Sequence, residues 1–243
     1  MKKALVLAII IMTFALISGG AMGAKVLKVG TDPAFPPFES TNDKGEIIGF
    51  DMDIIKAVAA AVGYDVQFTA VAWDGIIPGL IAGNYDVIAS GMTITDERKQ
   101  SVNFSDSYFE ASQVIITMKK AKVLNKLSDL EGKKVSVQIG TTGDIVVSEE
   151  VKNVTVKRFD LVPLALQELF NGNVDAMVID EAVAQAYAKQ FTNIQFGAPC
   201  TNEDYGFAVT KKNAQLLADL NSGLKKIKAD GTYDKIFAKW FVK

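Results

Sequence analysis

Two stretches set 89 residues apart constrain this chain more than any other feature: "IIPGLIAGNYDVIASG", ending at Gly91, and "PLALQELFNGNVDAMVID", ending at Asp180. Each reads as a helix, then Gly-Asn, any residue, Asp, and an uninterrupted apolar run. A helix that turns straight back into a strand needs a left-handed residue at its end, and Gly83 and Gly172 supply one without a Cβ clash. An apolar run without alternation is a strand buried on both faces, the hallmark of a sheet covered by helices. The match is short, and common helix-to-strand chemistry can produce it. Its occurrence twice suggests two similar α/β lobes rather than one large sheet.

The remaining segments fit that frame. "KVLKVGTD" reads as a strand ending at Asp32. "GFDMDIIKAVAAAVGYD" places Ile55, Val58, Ala59 and Val62 at helical spacing, with Asp51 and Asp53 in the first turn and Gly63 as the stop. "YDVQFTAV" is a strand, "WDGIIPGLIAG" a short helix, and "KKVSVQIGTTGD" opens a second strand-to-helix unit. Strand and helix alternate, so the class is α/β with mainly parallel sheets. "SYFEASQVIITMKK" and "NEDYGFAVTKK" lack helical periodicity and read as two extended crossings between lobes. Two crossings return the last helices, "NAQLLADLNSGLKKIKADGTYDKIFAKWF", to the first lobe. The expected division is 25–111 plus 206–243 for lobe 1 and 112–205 for lobe 2.

Composition removes whole classes of chemistry. The 243 residues contain no histidine and one cysteine, Cys200. Imidazole-based nucleophilic, acid–base and zinc chemistry is thereby excluded, as are disulfides and CxxC redox pairs. Cys200 reads as a small apolar filler. No metal or cofactor is expected. "MKKALVLAIIIMTFALISGGAMGAK" has Lys2 and Lys3, an apolar run from Ala4 to Ile17 and then small residues. It reads as a signal peptide over 1–24, too short to span a membrane, with no cysteine to make it a lipoprotein. The expected location is the periplasm. Removing the leader leaves 24 basic residues against 28 acidic, a net charge of −4 scattered along the chain. That excludes the basic stripe of a nucleic-acid binder.

Ligands of open α/β sheets bind beyond the carboxyl ends of the strands. There lie Asp32, with Phe35 in the following loop; Trp73; Ser90, Gly91, Thr93 and, in the loop a turn later, Arg98; Gln138 and Thr142 in "GTTGD"; and Asp180. Arg98 offers a planar fork matched to a carboxylate. The "GTTG" turn offers amide N–H groups at a helix N-terminus, again suited to an anion. Asp180 suits an ammonium, and Phe35 and Trp73 can cover an apolar stem. Each piece has a plainer reading: Asp96 or Glu97 can pair with Arg98, Asp180 can cap the helix "EAVAQAYAKQ", and the aromatics can be core. Their joint placement at strand ends points to a site for a free α-amino acid.

The segments "GTDPAFPPFE", "GFDMDIIKAVA", "SGMTITDERKQSVNFSDSYF", "VQIGTTG", "GNVDAMVID" and "DGTYDKIFAKWF" closely resemble the polar-amino-acid solute-binding proteins of ABC uptake systems, solute-binding family 3. The resemblance runs from Val26 to the end. It implies a two-lobed periplasmic-binding-protein fold with two inter-lobe crossing strands and a ligand held in the cleft. Carried over, Arg98 is the α-carboxylate clamp, assisted by Thr93, the Gly91 backbone and Thr142. Asp180, near Ser90 and Gly91, takes the ammonium. Phe35 and Trp73 wall the side chain, while Asp32 and Gln138 read its far end. The implied partners are a free L-amino acid, arginine or glutamine first, and an ABC permease; the protein is expected to be a monomer and to catalyse nothing. The alternative is a cyclohexadienyl dehydratase on the same fold, in which Asp180 would have to serve as a raised-pKa acid.

Overall fold

The computed structural model describes residues 25–242, so the leader read at 1–24 lies outside the described residues. Two five-stranded sheets carry the architecture. The first has the order β5 (Tyr64–Ala70), β1 (Lys25–Thr31), β6 (Val87–Ile88), β15 (Ala208–Thr210) and β7 (Val102–Phe104). The second has the order β11 (Thr155–Phe159), β10 (Lys134–Gln138), β12 (Ala176–Asp180), β9 (Gln113–Met118) and β13 (Ile194–Phe196).

Each sheet is parallel over only three strands. β5, β1 and β6 run parallel, as do β11, β10 and β12, whereas β15 and β9 enter antiparallel to their neighbours. The expectation of mainly parallel sheets is corrected accordingly. β9 and β15 arrive straight from the crossing segments, with no crossover helix to set them parallel. The crossings themselves are β8 (Phe109–Ala111) and β14 (Glu203–Tyr205), which pair antiparallel as a two-stranded ribbon. A small sheet of β2 (Ala34–Phe35), β3 (Glu39–Thr41) and β4 (Ile47–Ile48) follows β1. In its turn Asn42 Oδ1 accepts from the amides of Lys44 and Glu46, both at 2.9 Å.

The helices follow the apolar spacing. α1 (Phe50–Ala61) buries Ile54, Ile55, Val58 and Ala59 beside Leu27 and Val29 of β1. Burying each such aliphatic side chain contributes about 1.5–3 kcal/mol. Asp53 is a partly exposed first-turn acid, but Asp51 is fully buried and belongs to the site described below. α2 (Ile76–Ile81) and α5 (Val162–Phe170) precede the two Gly-Asn turns, where Gly83 and Gly172 adopt φ of +81° and +72° as the motif requires. α4 (Thr142–Glu150) and α6 (Glu181–Gln190) flank the second sheet. α7 (Ala214–Ala229) lies on α1 so closely that a Cβ on Gly223 would meet the Val58 carbonyl at 2.6 Å. α8 (Thr232–Phe241) is tied to α1 through Asp53, whose Oδ2 accepts from Lys239 Nζ at 2.6 Å and Trp240 Nε1 at 2.8 Å. The last helices therefore return to the first sheet. Phe38, Phe50, Phe109 and Phe241 form an aromatic cluster beside the crossing ribbon, with Phe38–Phe109 and Phe50–Phe241 centroids 4.9 and 5.0 Å apart.

Candidate functional site

The ends of β1, β6, β10 and β12 face one another across the crossing ribbon, and all ten residues singled out in the sequence meet there. Asp32, Phe35, Trp73, Ser90, Gly91, Thr93, Arg98, Gln138, Thr142 and Asp180 line one cavity, joined by Glu39 and Thr141.

Arg98 is not in a loop. It sits in α3 (Asp96–Ser101), whose N-cap Thr95 accepts the Arg98 amide at 3.1 Å. The short helix turns the guanidinium inward, leaving the residue 9% exposed. Nη1 donates to the Thr93 carbonyl at 2.9 Å, and Nη2 reaches across to the Gly140 carbonyl of the second lobe at 3.2 Å. Trp73 covers the group with its ring centroid 5.1 Å from Cζ. Neither surface partner takes it: Asp96 pairs with Lys99 at 3.0 Å, and among the described residues Arg98 forms no ion pair. Burial lowers its pKa, while the charges of Glu203 and Asp180 oppose that fall. A desolvated cation without a contacting carboxylate is costly, and an anionic ligand group would relieve that cost.

Asp180 closes β12 and is N-cap of α6, yet its side chain makes no capping bond. It accepts instead from the Tyr205 hydroxyl of β14. Burial, and next the charge of Glu203, pushes its carboxyl up to about 7. An ammonium brought beside it would favour the ionised form.

The distal end is built from acceptors. Gln138 Nε2 donates to Asp32 Oδ2 across the cleft and to the Asp160 carbonyl, both at 3.0 Å. The Asp160 carbonyl can only accept, so the amide orientation is forced and Oε1 is left as an acceptor. Burial raises the pKa of Asp32, against the opposing effect of hydrogen bonds from Gln138 and the Trp73 backbone. Ser90 is already committed: its Oγ accepts the Asp32 amide at 2.9 Å and donates to Glu39 Oε1 at 3.0 Å.

Gly91 has φ of +50°, and a Cβ there would lie 3.2 Å from the Phe35 ring and 3.3 Å from Tyr205. Its amide donates to Asp51 Oδ2 at 2.7 Å. This corrects the expected use of the Gly91 backbone as a carboxylate donor; its carbonyl remains as an acceptor. The Tyr108 hydroxyl also donates to Asp51, at 2.6 Å, and burial pushes Asp51 up to about 7. Glu39, 1% exposed, is raised well above the usual range by burial and next by Asp51. In the "GTTG" turn, Gly140 N is taken by Asp144 Oδ2 at 3.1 Å and Asp144 N by Thr141 Oγ1 at 3.2 Å. The Thr142 and Gly143 amides at the start of α4 have no acceptor among the described residues.

Sequence reasoning missed Glu39, Asp51 as a buried group, and Glu203. Glu39 ends the quoted loop "PAFPPFE", where an acid after an apolar run was the available signal. Glu203 stands in a crossing segment whose pattern does not say which side chain turns inward. The described residues hold no cluster of His, Cys, Asp and Glu arranged for a metal ion, and no helix long and apolar enough to cross a membrane.

A family model for bacterial extracellular solute-binding proteins, family 3, matches residues 27–243. A probable histidine-binding protein of Neisseria gonorrhoeae is 38% identical over 262 residues, covering 100% of this chain and 97% of that protein. ABC transporter arginine-binding protein 1 of Escherichia coli (strain K12) is 37% identical over 249 residues, covering 99% of each. An ancestral arginine-binding protein, solved with arginine and with glutamine bound, superposes with a TM-score of 0.85 at 46% identity. The match spans 90% of this chain and 99% and 98% of those chains. With the family model spanning nearly the whole described chain, and full-length relatives well above 30% identity, this chain belongs to the bacterial extracellular solute-binding proteins, family 3.

Proposed function

We propose that this protein captures a free basic L-amino acid, arginine first, between its two lobes and delivers it to an ABC permease, working as a periplasmic monomer without catalysing a reaction. The lobes are residues 25–111 with 206–243, and 112–205. The observation that carries the reading is the buried Arg98 guanidinium, unpaired by any carboxylate among the described residues, lining the same cavity as the buried Asp180. A zwitterion meets both needs at once: its carboxylate takes the Arg98 fork and the free amides of α4, and its ammonium takes Asp180 and neighbouring oxygens. Because the two charges belong to different lobes, the full set of contacts exists only when the lobes are closed, and that differential affinity drives closure.

The acceptor-only distal end supports arginine over glutamine. A guanidinium presents donors alone, which suits Asp32 and Gln138 Oε1. The side-chain carbonyl of glutamine would find the Gln138 N–H groups already spent. The relatives and solved structures include arginine-, histidine- and glutamine-binding proteins, so the order rests on the distal end alone. Melting-point shifts against the twenty amino acids test the reading: arginine at a hundred times its Kd stabilises the fold by about 2.7 kcal/mol. Equal shifts for all twenty, or none, would reject it. Asp180, held near neutral pH, also has the character a dehydratase acid needs; turnover of prephenate or arogenate would favour that second reading.

A further inference from the structure

We infer that Glu203, a residue outside the cavity, is a latch that holds the lobes shut and thereby sets how long the ligand is retained. Glu203 opens the second crossing strand, opposite Ala111 of the first, and lines the outer groove beside Thr93, Thr142 and Thr201 rather than the ligand cavity. Its Oε2 accepts from Thr93 Oγ1 and from Thr142 Oγ1, each at 2.8 Å. Thr93 follows β6 in the first lobe, whereas Thr142 opens α4 in the second. A single carboxylate oxygen is therefore bonded from both lobes at once, and the two hydroxyl oxygens stand 3.5 Å apart.

The donor count makes this arrangement specific. A threonine hydroxyl has one proton to give. Thr142 Oγ1 already accepts from Gln113 Nε2 at 3.1 Å, so its own proton goes to Glu203. Oε1 is engaged separately by the Thr201 hydroxyl at 2.8 Å, and Thr201 Oγ1 in turn accepts the Gln113 amide at 2.8 Å. Thr201, within the same crossing segment, thus takes only one carboxylate oxygen, and the other is left for the two lobes. Separating the lobes pulls Thr93 from Thr142, and one oxygen can no longer take both. Closure gains a charge-assisted bond that opening loses. Glu203 acts through these threonines, which makes it a positioning residue; this rests on the reading of the chain as a protein whose lobes close on an amino acid.

The test compares the native protein with Glu203→Gln, Glu203→Asp and Thr201→Val. Stopped-flow release of arginine reports opening of the bound form, and a dye pair with one label on each lobe reports lobe separation in the free protein. Glu203→Asp keeps the charge but withdraws the carboxylate by one methylene. Both Glu203 variants are expected to release arginine about tenfold faster, the effect of one lost charge-assisted bond, and to widen the free protein, with unchanged melting points. Thr201→Val is expected to release at nearly the native rate. Native release and native lobe separation in both Glu203 variants overturn the latch, as does a native-like Glu203→Asp, since charge alone would then suffice. An equal effect of Thr201→Val also overturns it, by tracing the change to local disorder. If the native protein binds no amino acid, the ligand reading falls while the lobe-separation comparison still decides the latch.

Discussion

Replacing Arg98 by methionine separates a ligand clamp from a structural arginine, because the two roles predict opposite effects on stability and affinity. In the free protein the guanidinium gives two hydrogen bonds to carbonyls, at 2.9 and 3.2 Å, and stacks on Trp73. Bonds from a charged donor are worth about 1.5–3 kcal/mol each. Against them stands the desolvation of a 9% exposed cation with no ion-pair partner, itself several kcal/mol. These opposing contributions nearly cancel, so Arg98→Met should shift the stability of the free protein by no more than about 2 kcal/mol. Ligand binding has no such compensation. Losing one member of a buried charge pair costs about 2–5 kcal/mol, or roughly 30-fold to several-thousand-fold in Kd. Arg98→Lys keeps the charge but loses the fork, and should fall between the two. Calorimetric titration with arginine beside thermal melts of the ligand-free variants measures both quantities. Native affinity, or a melting point that collapses while the remaining folded protein binds normally, refutes the assignment.

Asp32→Asn should weaken arginine binding by about 2 kcal/mol, the worth of one hydrogen bond to a charged group, and leave glutamine binding nearly unchanged; equal losses for both ligands in calorimetry would contradict the acceptor-only distal end. Gly91→Ala forces a Cβ into a backbone with φ of +50° and to 3.2 Å from Phe35, so chemical denaturation should show a loss of at least about 1–2 kcal/mol, and a native midpoint would disprove the strain. Asp51 and Asp180 are held at about 7 from an ordinary 3.8, in both cases chiefly by burial. Between those values the folded state binds more protons than the unfolded one, so stability of the ligand-free protein should fall as pH rises from about 4 to about 7 and then level off. Melts at pH 5 and pH 8 check the sign, and a higher midpoint at pH 8 would refute it.

What was legible in the sequence follows from what has a period. The paired Gly-Asn turns fix where helices hand over to strands, and strand ends are where an α/β sheet collects its ligand groups. Asp32, Gln138 and Asp180 could therefore be found without knowing a single contact. Arg98 was found but placed in a loop, because a six-residue helix capped by Thr95 is too short to show helical spacing. Glu39, Asp51 and Glu203 escaped for a different reason: their roles lie in bonds to residues 40 to 110 positions away. The bonds of Glu39 and Asp51 exist only once the first lobe has folded, and that of Glu203 to Thr93 only once the crossings have brought the lobes together. An extended segment such as "NEDYG" alternates its side chains without saying which face will meet a cleft.

Those acids change the charge balance of the site and, with it, the ligand it prefers. Three carboxyl groups, Asp32, Glu39 and Asp180, line the cavity with one guanidinium, Arg98, and Asp51 lies behind Glu39. Desolvation and mutual repulsion favour protonation of these acids in the free protein. A neutral zwitterion satisfies Arg98 and Asp180 and leaves the remaining acids as they were. A cationic side chain brings a positive charge to Asp32, where Gln138 has no further donor to offer. It pulls Asp32 as well as Asp180 toward ionisation, so the affinity of basic ligands should rise with pH more than that of glutamine, whose ammonium acts on Asp180 alone. On the proposed reading, selectivity for a basic amino acid would come from this excess of buried acid, and capture of a cation would be coupled to release of a proton.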